Sequence, residues 1–121
     1  MPESIKSNSE FRRAYKKGKY KSGRYVTVYA FANRTDINRI GIVTGKKVGN
    51  AVQRNRMRRL IREIYHHNVQ DKISGYDLVF FVKPSHRVAA NTARKLRAEY
   101  IPTFDELKED ILQSLSMMKM M

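Results

Sequence analysis

The spacing of apolar residues along the chain predicts three helices, at about residues 8–17, 51–68 and 103–115. In each segment apolar side chains recur every three or four residues, which is typical of a helix with one buried face. Each segment also begins at a side chain that is favoured at helix N-caps, namely Ser7, Asn50 and Thr103. Ser7 and Thr103 are each followed three residues later by a glutamate, the pattern of a capping box.

Three other segments have the composition of strands. Residues 39–44 and 77–82 are rich in β-branched and aromatic side chains, and the second of these segments is apolar enough for a fully buried strand. The turn at 33–38 predicts that residues 39–44 pair antiparallel with the preceding strand, 25–31. That preceding strand has two distinct faces, one with Tyr25, Thr27, Tyr29 and Phe31 and the other with Val26, Val28 and Ala30.

The remaining segments are less regular. Residues 19–23 form a polar connection with room for a short strand, and residues 85–100 are basic and alanine-rich, with helix expected around 89–99. Residues 116–121 are expected to be a frayed, disordered tail. No repeat or linker divides the chain, so residues 1–121 are predicted to form a single domain.

The second helix carries an unusual charge pattern, because five of its residues between positions 54 and 62 are arginines. At about 100° per residue, Met57, Leu60, Ile61, Ile64 and Tyr65 fall in one apolar arc. The polar side chains then cover the rest of the helix: Arg54, Arg58 and Arg62 along one border of the arc, Asn55 and Arg59 opposite it, and Arg56 near the other border. Like charges at this spacing disfavour an isolated helix, whereas phosphate groups would bind these guanidinium groups in bidentate fashion. The pattern therefore favours a polyanionic partner.

The charge of the whole chain supports nucleic acid as that partner. Lysine and arginine total 25 against 11 acidic residues, a net charge of +14. A solvated surface normally mixes both signs, and no long apolar run, signal peptide or lipidation cysteine indicates a membrane. The absence of cysteine excludes disulfides and thiolate metal sites, and the cytoplasm is the expected location.

Other functions fit the sequence less well. The segment at 45–49 lacks the P-loop pattern, and a strand precedes the basic helix where a helix-turn-helix protein needs a companion helix. A protein nuclease could use His66 and His67 as acid and base with Asp71 or Asp77 as a metal ligand, but adjacent helical histidines point about 100° apart. A ribosomal or assembly RNA-binding protein remains the other alternative.

The basic helix carries a family resemblance. Lys46-Lys-Val-Gly-Asn-Ala-Val-Gln-Arg-Asn-Arg-Met-Arg-Arg-Leu-Ile-Arg-Glu63 resembles the signature segment of the bacterial ribonuclease P protein subunit, with its Arg-Asn-Arg core at 54–56. Residues 10–18, 25–31 and 77–82 are similar to the family in the same order. The chain departs from the family at Gly45, where a serine is usual, and in a longer connection at 85–102.

The resemblance implies both a fold and a function. The implied fold is an α/β (α+β) two-layer sandwich of a small mixed sheet with about three helices, in the order α-β-β-β-α-β-α, similar to the second domain of ribosomal protein S5. Its β-α-β crossover would be left-handed, against the general preference. The implied function is to partner ribonuclease P RNA in removing the 5′ leader of precursor tRNA. The RNA and its Mg²⁺ would do the chemistry, so the resemblance implies no catalytic residue or metal ligand in the chain. It also implies that the protein needs no organic cofactor and no obligate protein partner.

Two groups of binding residues are expected. Rings on the first helix and the next strand, with Arg12, Arg13, Lys16 and Lys17 nearby, suit single-stranded RNA, although any one ring could equally belong to the core. Together with the resemblance, this predicts a 5′-leader cleft of Phe11, Tyr15, Tyr29, Arg54, Arg58 and Arg62. The three arginines border the apolar arc of the helix, so they are expected to lie around the sheet surface that bears the strand aromatics. Contacts with the RNA subunit are expected at Lys46, Lys47, Asn55, Arg56 and Arg59.

Overall fold

The computed structural model describes residues 3–84 and 102–121. Its helices and strands follow in the order β1 (Glu3–Ser4), α1 (Asn8–Lys17), β2 (Lys19–Ser22), β3 (Val26–Ala32), β4 (Arg39–Val43), α2 (Ala51–Asn68), β5 (Tyr76–Val82) and α3 (Phe104–Met117). A short 3₁₀ turn, Lys46–Val48, precedes α2. Apart from the two-residue β1, this is the predicted order, and it is an α+β fold.

Side-chain caps fix where the helices begin. The hydroxyl oxygen of Ser7 accepts a hydrogen bond from the amide of Glu10, and the Glu10 carboxylate accepts one from the amide of Ser7. The same reciprocal pair joins Thr103 to Glu106. In α2 the N-cap is Asn50, and the side chain of Gln53 accepts the hydrogen bond from the N-cap amide that a glutamate accepts in the other two helices. All three predicted N-caps are therefore confirmed.

The sheet is mixed, with strand order β1-β4-β5-β3-β2. Strand β3 is antiparallel to β2 and to β5, whereas β4 is parallel to β5 and to β1. The predicted antiparallel pairing of residues 25–31 with residues 39–44 is wrong, because β5 lies between those two strands. Strand β5 is apolar on both faces, so burial favours its central position. The handedness of the β4-α2-β5 crossover stays a prediction.

The helices divide between the two faces of the sheet. Leu78 and Phe80 of β5 pack with α2 and α3 in the larger of two apolar clusters, which we call the main core. The sheet and these two helices are the two layers of the predicted sandwich. Val79, which points the opposite way, packs with Ala14 of α1 in a smaller cluster. Tyr25 was expected to share the face of Tyr29, but it precedes β3 and lies buried in the main core.

The C-terminal residues differ from the predicted frayed tail. Helix α3 continues to Met117, the side chain of Met118 is buried, and the amide of Met120 donates to the carbonyl of Leu115. The apolar methionine side chains gain contacts with the core, which offsets the loss of chain freedom. The helix expected around residues 89–99 lies outside the described residues.

Candidate RNA interface

Helix α2 presents its basic surface away from the core, as its sequence predicts. Its apolar arc is buried through Met57, Leu60, Ile61, Ile64 and Tyr65. Arg56, Arg59 and Arg62 are exposed, while Arg54 and Arg58 are half-buried. Nη1 of Arg54 donates to the carbonyl of Gly49 at 3.0 Å, which places Arg54 beside the start of the helix.

Among the described residues, no carboxylate forms a salt bridge with an arginine of α2. Within the part of the chain that the structure describes, the salt bridges are those of Arg13 and Arg39, and none involves α2. The Arg58 guanidinium instead donates to the neutral Oδ1 of Asn55 at 2.7 Å. Positive charges held close together without counter-ions attract a polyanion.

The residues expected to contact the RNA subunit are all exposed. Asn55, Arg56 and Arg59 lie on α2, and Lys46 and Lys47 lie on the 3₁₀ turn that precedes it. The buried Val48 anchors that turn in the main core. These side chains therefore belong to two consecutive elements, and their role stays a prediction.

A continuous row of four rings crosses the other face of the sheet. The ring centroids of Phe11 and Tyr15 on α1 are 6.5 Å apart, and Tyr15 meets Tyr29 of β3 edge-on at 4.8 Å. Tyr20 of β2 stacks on Tyr29 with centroids 5.6 Å apart and planes 28° apart. We call Phe11, Tyr15, Tyr29 and Tyr20 the aromatic row. Such a row offers flat apolar surfaces on the outside of a basic protein.

A surface cleft runs beside this row. Its volume is about 410 Å³, and it is lined by Asn8, Phe11, Arg12, Tyr15 and Val43. Phe11 is half-buried because its ring lies directly over Gly41 of β4. Burial and the neighbouring Tyr29 raise the pKa of Tyr15, so its hydroxyl stays neutral. The cleft therefore combines an arginine with apolar ring surface.

The geometry differs from the predicted leader cleft in one respect. The sequence prediction set Arg54, Arg58 and Arg62 around the sheet surface that bears Tyr29. Tyr29 packs with α1, whereas α2 covers the opposite face, so this geometric reason was wrong. Strand alternation alone does not tell which face a later helix will cover.

Tyr20 is the residue of the aromatic row that the sequence prediction missed. The segment 19–23 is predicted to be a polar connection with room for a short strand, and that strand is confirmed, but the prediction gave its side chains no facing partners. As strand β2, it pairs Tyr20 directly with Tyr29. A signal was present, because the Lys-Tyr-Lys pattern alternates polar and aromatic side chains as an edge strand does.

An ionic cluster attaches α1 to the sheet. The carboxylate of Asp77 is fully buried and accepts hydrogen bonds from Arg39 and from the amide nitrogen of Asn33. Arg39 also donates to Glu10, and together with the amides of Lys6 and Ser7 it lowers the pKa of Glu10 to about 2. The guanidinium of Arg13 stacks over Phe31 with 5.1 Å from its Cζ to the ring centroid.

A second carboxylate positions the β2–β3 hairpin. Asp110 of α3 accepts hydrogen bonds from the backbone amides of Arg24, Tyr25 and Val26, at 2.7, 2.9 and 3.1 Å. A side chain at Gly23 would collide with this carboxylate. The hairpin that carries Tyr20 and Tyr29 is thereby attached to α3.

The described residues do not assemble the metal site of the nuclease alternative, although the rings of His66 and His67 lie close together. Asp77 is occupied by the ionic cluster, and the ring of His66 faces Gln70 and the ring of His67. Among residues 4–84 and 102–121, no three histidine or acidic side chains lie close enough to hold a metal ion. No helix in these ranges is long and apolar enough to cross a membrane.

An arginine-covered helix and a row of rings on a small basic α+β domain define an RNA-binding protein. The family description ribonuclease P matches residues 2–108. The chain is 44% identical over 88 residues to the ribonuclease P protein component of Clostridioides difficile strain 630, covering 72% of this chain and 77% of that one. It is 48% identical over 82 residues to that of Clostridium botulinum strain Loch Maree, covering 67% and 74%.

Solved structures agree with the sequence relatives. The RNase P protein of Staphylococcus aureus superposes with a TM-score of 0.77 at 29% identity, covering 99% of this chain and 98% of that one. The protein from Thermotoga maritima gives 0.72 at 26% identity, with coverage of 92% and 93%. The chain belongs to the ribonuclease P protein family. It is thus similar to the protein subunits of a ribonucleoprotein that acts in tRNA processing.

Proposed function

We propose that the protein binds the RNA subunit of ribonuclease P through α2 and the 5′ leader of precursor tRNA through Phe11, Tyr15 and Tyr29 of the aromatic row, in the cytoplasm. The RNA subunit with Mg²⁺ hydrolyses the phosphodiester bond, and the protein contributes affinity for the substrate. The observation that carries this proposal is the set of arginines on α2 that no described carboxylate neutralises.

The basic surface of α2 suits a structured RNA. Arg56 and Arg59 project from a helix whose other side is fixed in the core, so the backbone that carries them needs no further ordering when they bind phosphates. Guanidinium groups hold phosphate oxygens in pairs, and each contact releases counter-ions from the RNA. Lys46 and Lys47 extend this surface by one short turn.

The aromatic row suits the leader because a leader is single-stranded and varied in sequence. Every base has a face that can stack on a ring, so stacking gives affinity without sequence preference. Tyr15, with 37% of its surface exposed, and the half-buried Tyr29 leave ring surface accessible. Arg12 beside the cleft supplies a charge for the leader backbone.

The proposal assigns Mg²⁺ to the RNA. The described residues bring no cluster of carboxylate or imidazole ligands together, so they do not fit a protein-held metal site. The part that these residues play is to bind and position RNA.

One comparison supports a second candidate function. A variant of the Staphylococcus aureus protein, 30% identical to this chain with a TM-score of 0.75, is described as defective in mRNA degradation activity. That description concerns the other protein, but it makes an RNA-cleaving role of the protein itself worth testing here.

Cleavage assays with and without the RNA subunit separate the two functions. Purified protein with Mg²⁺ should leave precursor tRNA and a messenger RNA intact. Addition of ribonuclease P RNA should give cleavage at the mature 5′ end. Cleavage at that site by RNA-free protein would overturn the proposal, and degradation of the messenger alone would support the second function.

A further inference from the structure

Tyr20 is the most exposed member of the aromatic row. It retains 64% of its surface, against 37% for Tyr15. It stands on the edge strand β2, directly opposite Tyr29 in the antiparallel ladder. One face of its ring covers Tyr29, with centroids 5.6 Å apart, and the remaining surface is turned to solvent. An exposed ring held against a second ring is a ready stacking surface.

The hairpin holds this ring in a fixed place. Strand β2 pairs with β3 over four residues, and the Asp110 carboxylate binds the turn that joins them. A base that stacks on Tyr20 therefore meets a preorganised surface, and little side-chain freedom is lost on binding. The exposed Lys16 and Lys17 at the end of α1, just before β2, supply positive charge for a nucleic acid backbone.

We propose that Tyr20 forms an additional base-stacking subsite, separate from the proposed leader site at Phe11, Tyr15 and Tyr29, for one further nucleotide of the single-stranded leader. This inference rests on the proposed leader binding. The row runs from α1 across β3 to the edge of the sheet. The proposal places the entry of the leader at the α1 end, where the cleft beside Arg12 lies, so the leader reaches Tyr20 only after it has passed Tyr29. The subsite therefore serves leaders above a threshold length.

The test is the affinity of the reconstituted holoenzyme for precursor tRNAs whose leaders are shortened one nucleotide at a time. Tyr20→Ala should weaken binding of long leaders by about 5- to 10-fold, near the low end of what one stacked base contributes. Below a threshold length it should have no effect. Tyr20→Phe should bind like the wild type, and Tyr20→Leu should behave like Tyr20→Ala because it lacks a ring.

Two control variants make the result specific. Met117→Ala removes a similarly exposed side chain, 58% accessible, from α3 on the other side of the sheet, and it should bind leaders of every length normally. Tyr29→Ala should weaken both short and long leaders. Circular dichroism checks that each variant is folded.

The outcomes separate this inference from the proposed function. If Tyr20→Ala loses the same affinity at every leader length, or loses no affinity at any length, the proposal of a separate subsite is overturned. If Tyr29→Ala still weakens precursor binding in that case, the proposed leader cleft stands. If neither variant weakens precursor binding, the leader cleft and the subsite both fail.

Discussion

Arg39 holds Asp77 through two parallel hydrogen bonds, from Nε to Oδ1 at 2.9 Å and from Nη2 to Oδ2 at 2.6 Å. The two residues are partners in the register of the parallel strands β4 and β5. Nη1 of Arg39 reaches Glu10 in the first turn of α1. The pair therefore connects the helix that carries Phe11 and Tyr15 to the middle of the sheet.

Asp77→Asn should destabilise the protein. The variant keeps the size of the side chain but removes the buried counter-ion of Arg39, which is left with Glu10 alone. Breaking a fully buried pair costs about 3–5 kcal/mol, and we expect about 2–3 kcal/mol here because the Arg39 side chain keeps 21% of its surface exposed. Urea unfolding measures this loss. Arg13→Ala removes a 3.8 Å contact of a 43% exposed side chain together with its stacking over Phe31, and it should cost only about 1 kcal/mol. Equal losses in the two variants would contradict the dominance of the Arg39–Asp77 pair.

The ion pair of Glu10 gives a defined pH dependence. The pKa of Glu10 falls from 4.5 to about 2 in the folded protein, mainly because Arg39 donates to it. A lowered pKa stabilises the fold above pH 4.5, and this contribution is lost as the pH falls towards 2. Wild type should therefore be more stable than Glu10→Gln at neutral pH, and the difference should shrink across that interval. A difference that is constant from neutral pH to pH 2 would count against the pairing.

A substitution at Gly41 tests how closely α1 packs on the sheet. A Cβ atom at Gly41 would lie 2.6 Å from Cε1 of Phe11, so Gly41→Ala must displace the ring. We expect a loss of about 1–3 kcal/mol in stability, the usual cost of overpacking, and weaker binding of precursor tRNA. Gly45→Ala is the matched control, since its Cβ would have no neighbour within 4 Å. Unchanged stability in Gly41→Ala would show that α1 is not held against β4.

The salt dependence of RNA binding tests the role of α2. Removing two phosphate contacts in the Arg56→Ala, Arg59→Ala double variant should lower the slope of log K against log salt by about one to two units. The fold should be intact, because neither residue belongs to the apolar arc. Lys72→Ala with Lys108→Ala removes the same charge elsewhere on the chain and should leave the slope nearly unchanged. An unaltered slope in the arginine variant would place the RNA contact elsewhere.

Local patterns in the sequence predicted the helices well. They could not predict which strands pair or which face of the sheet each helix covers, because these depend on residues far apart in the chain. Ser7, Asn50 and Thr103 bind amides three residues away, so the helix starts could be predicted. The position of β5 between β3 and β4 depends on tertiary packing, which no local turn encodes. For the same reason α2 and Tyr29 were assigned to one face of the sheet.

The candidate RNA interface could likewise be predicted where it depends on local patterns, but not where it depends on strand pairing. The buried and exposed residues of α2 follow from its periodicity, because a helix repeats at a fixed angle. The family was suggested by the ordered string around Arg54 and is confirmed by the comparisons. Tyr20 was missed because its partner Tyr29 lies in the next strand, and only the hairpin register brings the two rings together.

The most direct test of the central claim is the affinity of the holoenzyme for precursor and mature tRNA with Tyr29→Ala. Precursor binding should weaken by the equivalent of about 1–3 kcal/mol, the contribution of one stacked base, while mature tRNA should bind as before. Tyr29→Phe, which keeps the ring, should resemble the wild type. Equal weakening of precursor and mature tRNA, or no weakening of either in a folded variant, would contradict the claim that the aromatic row binds the leader.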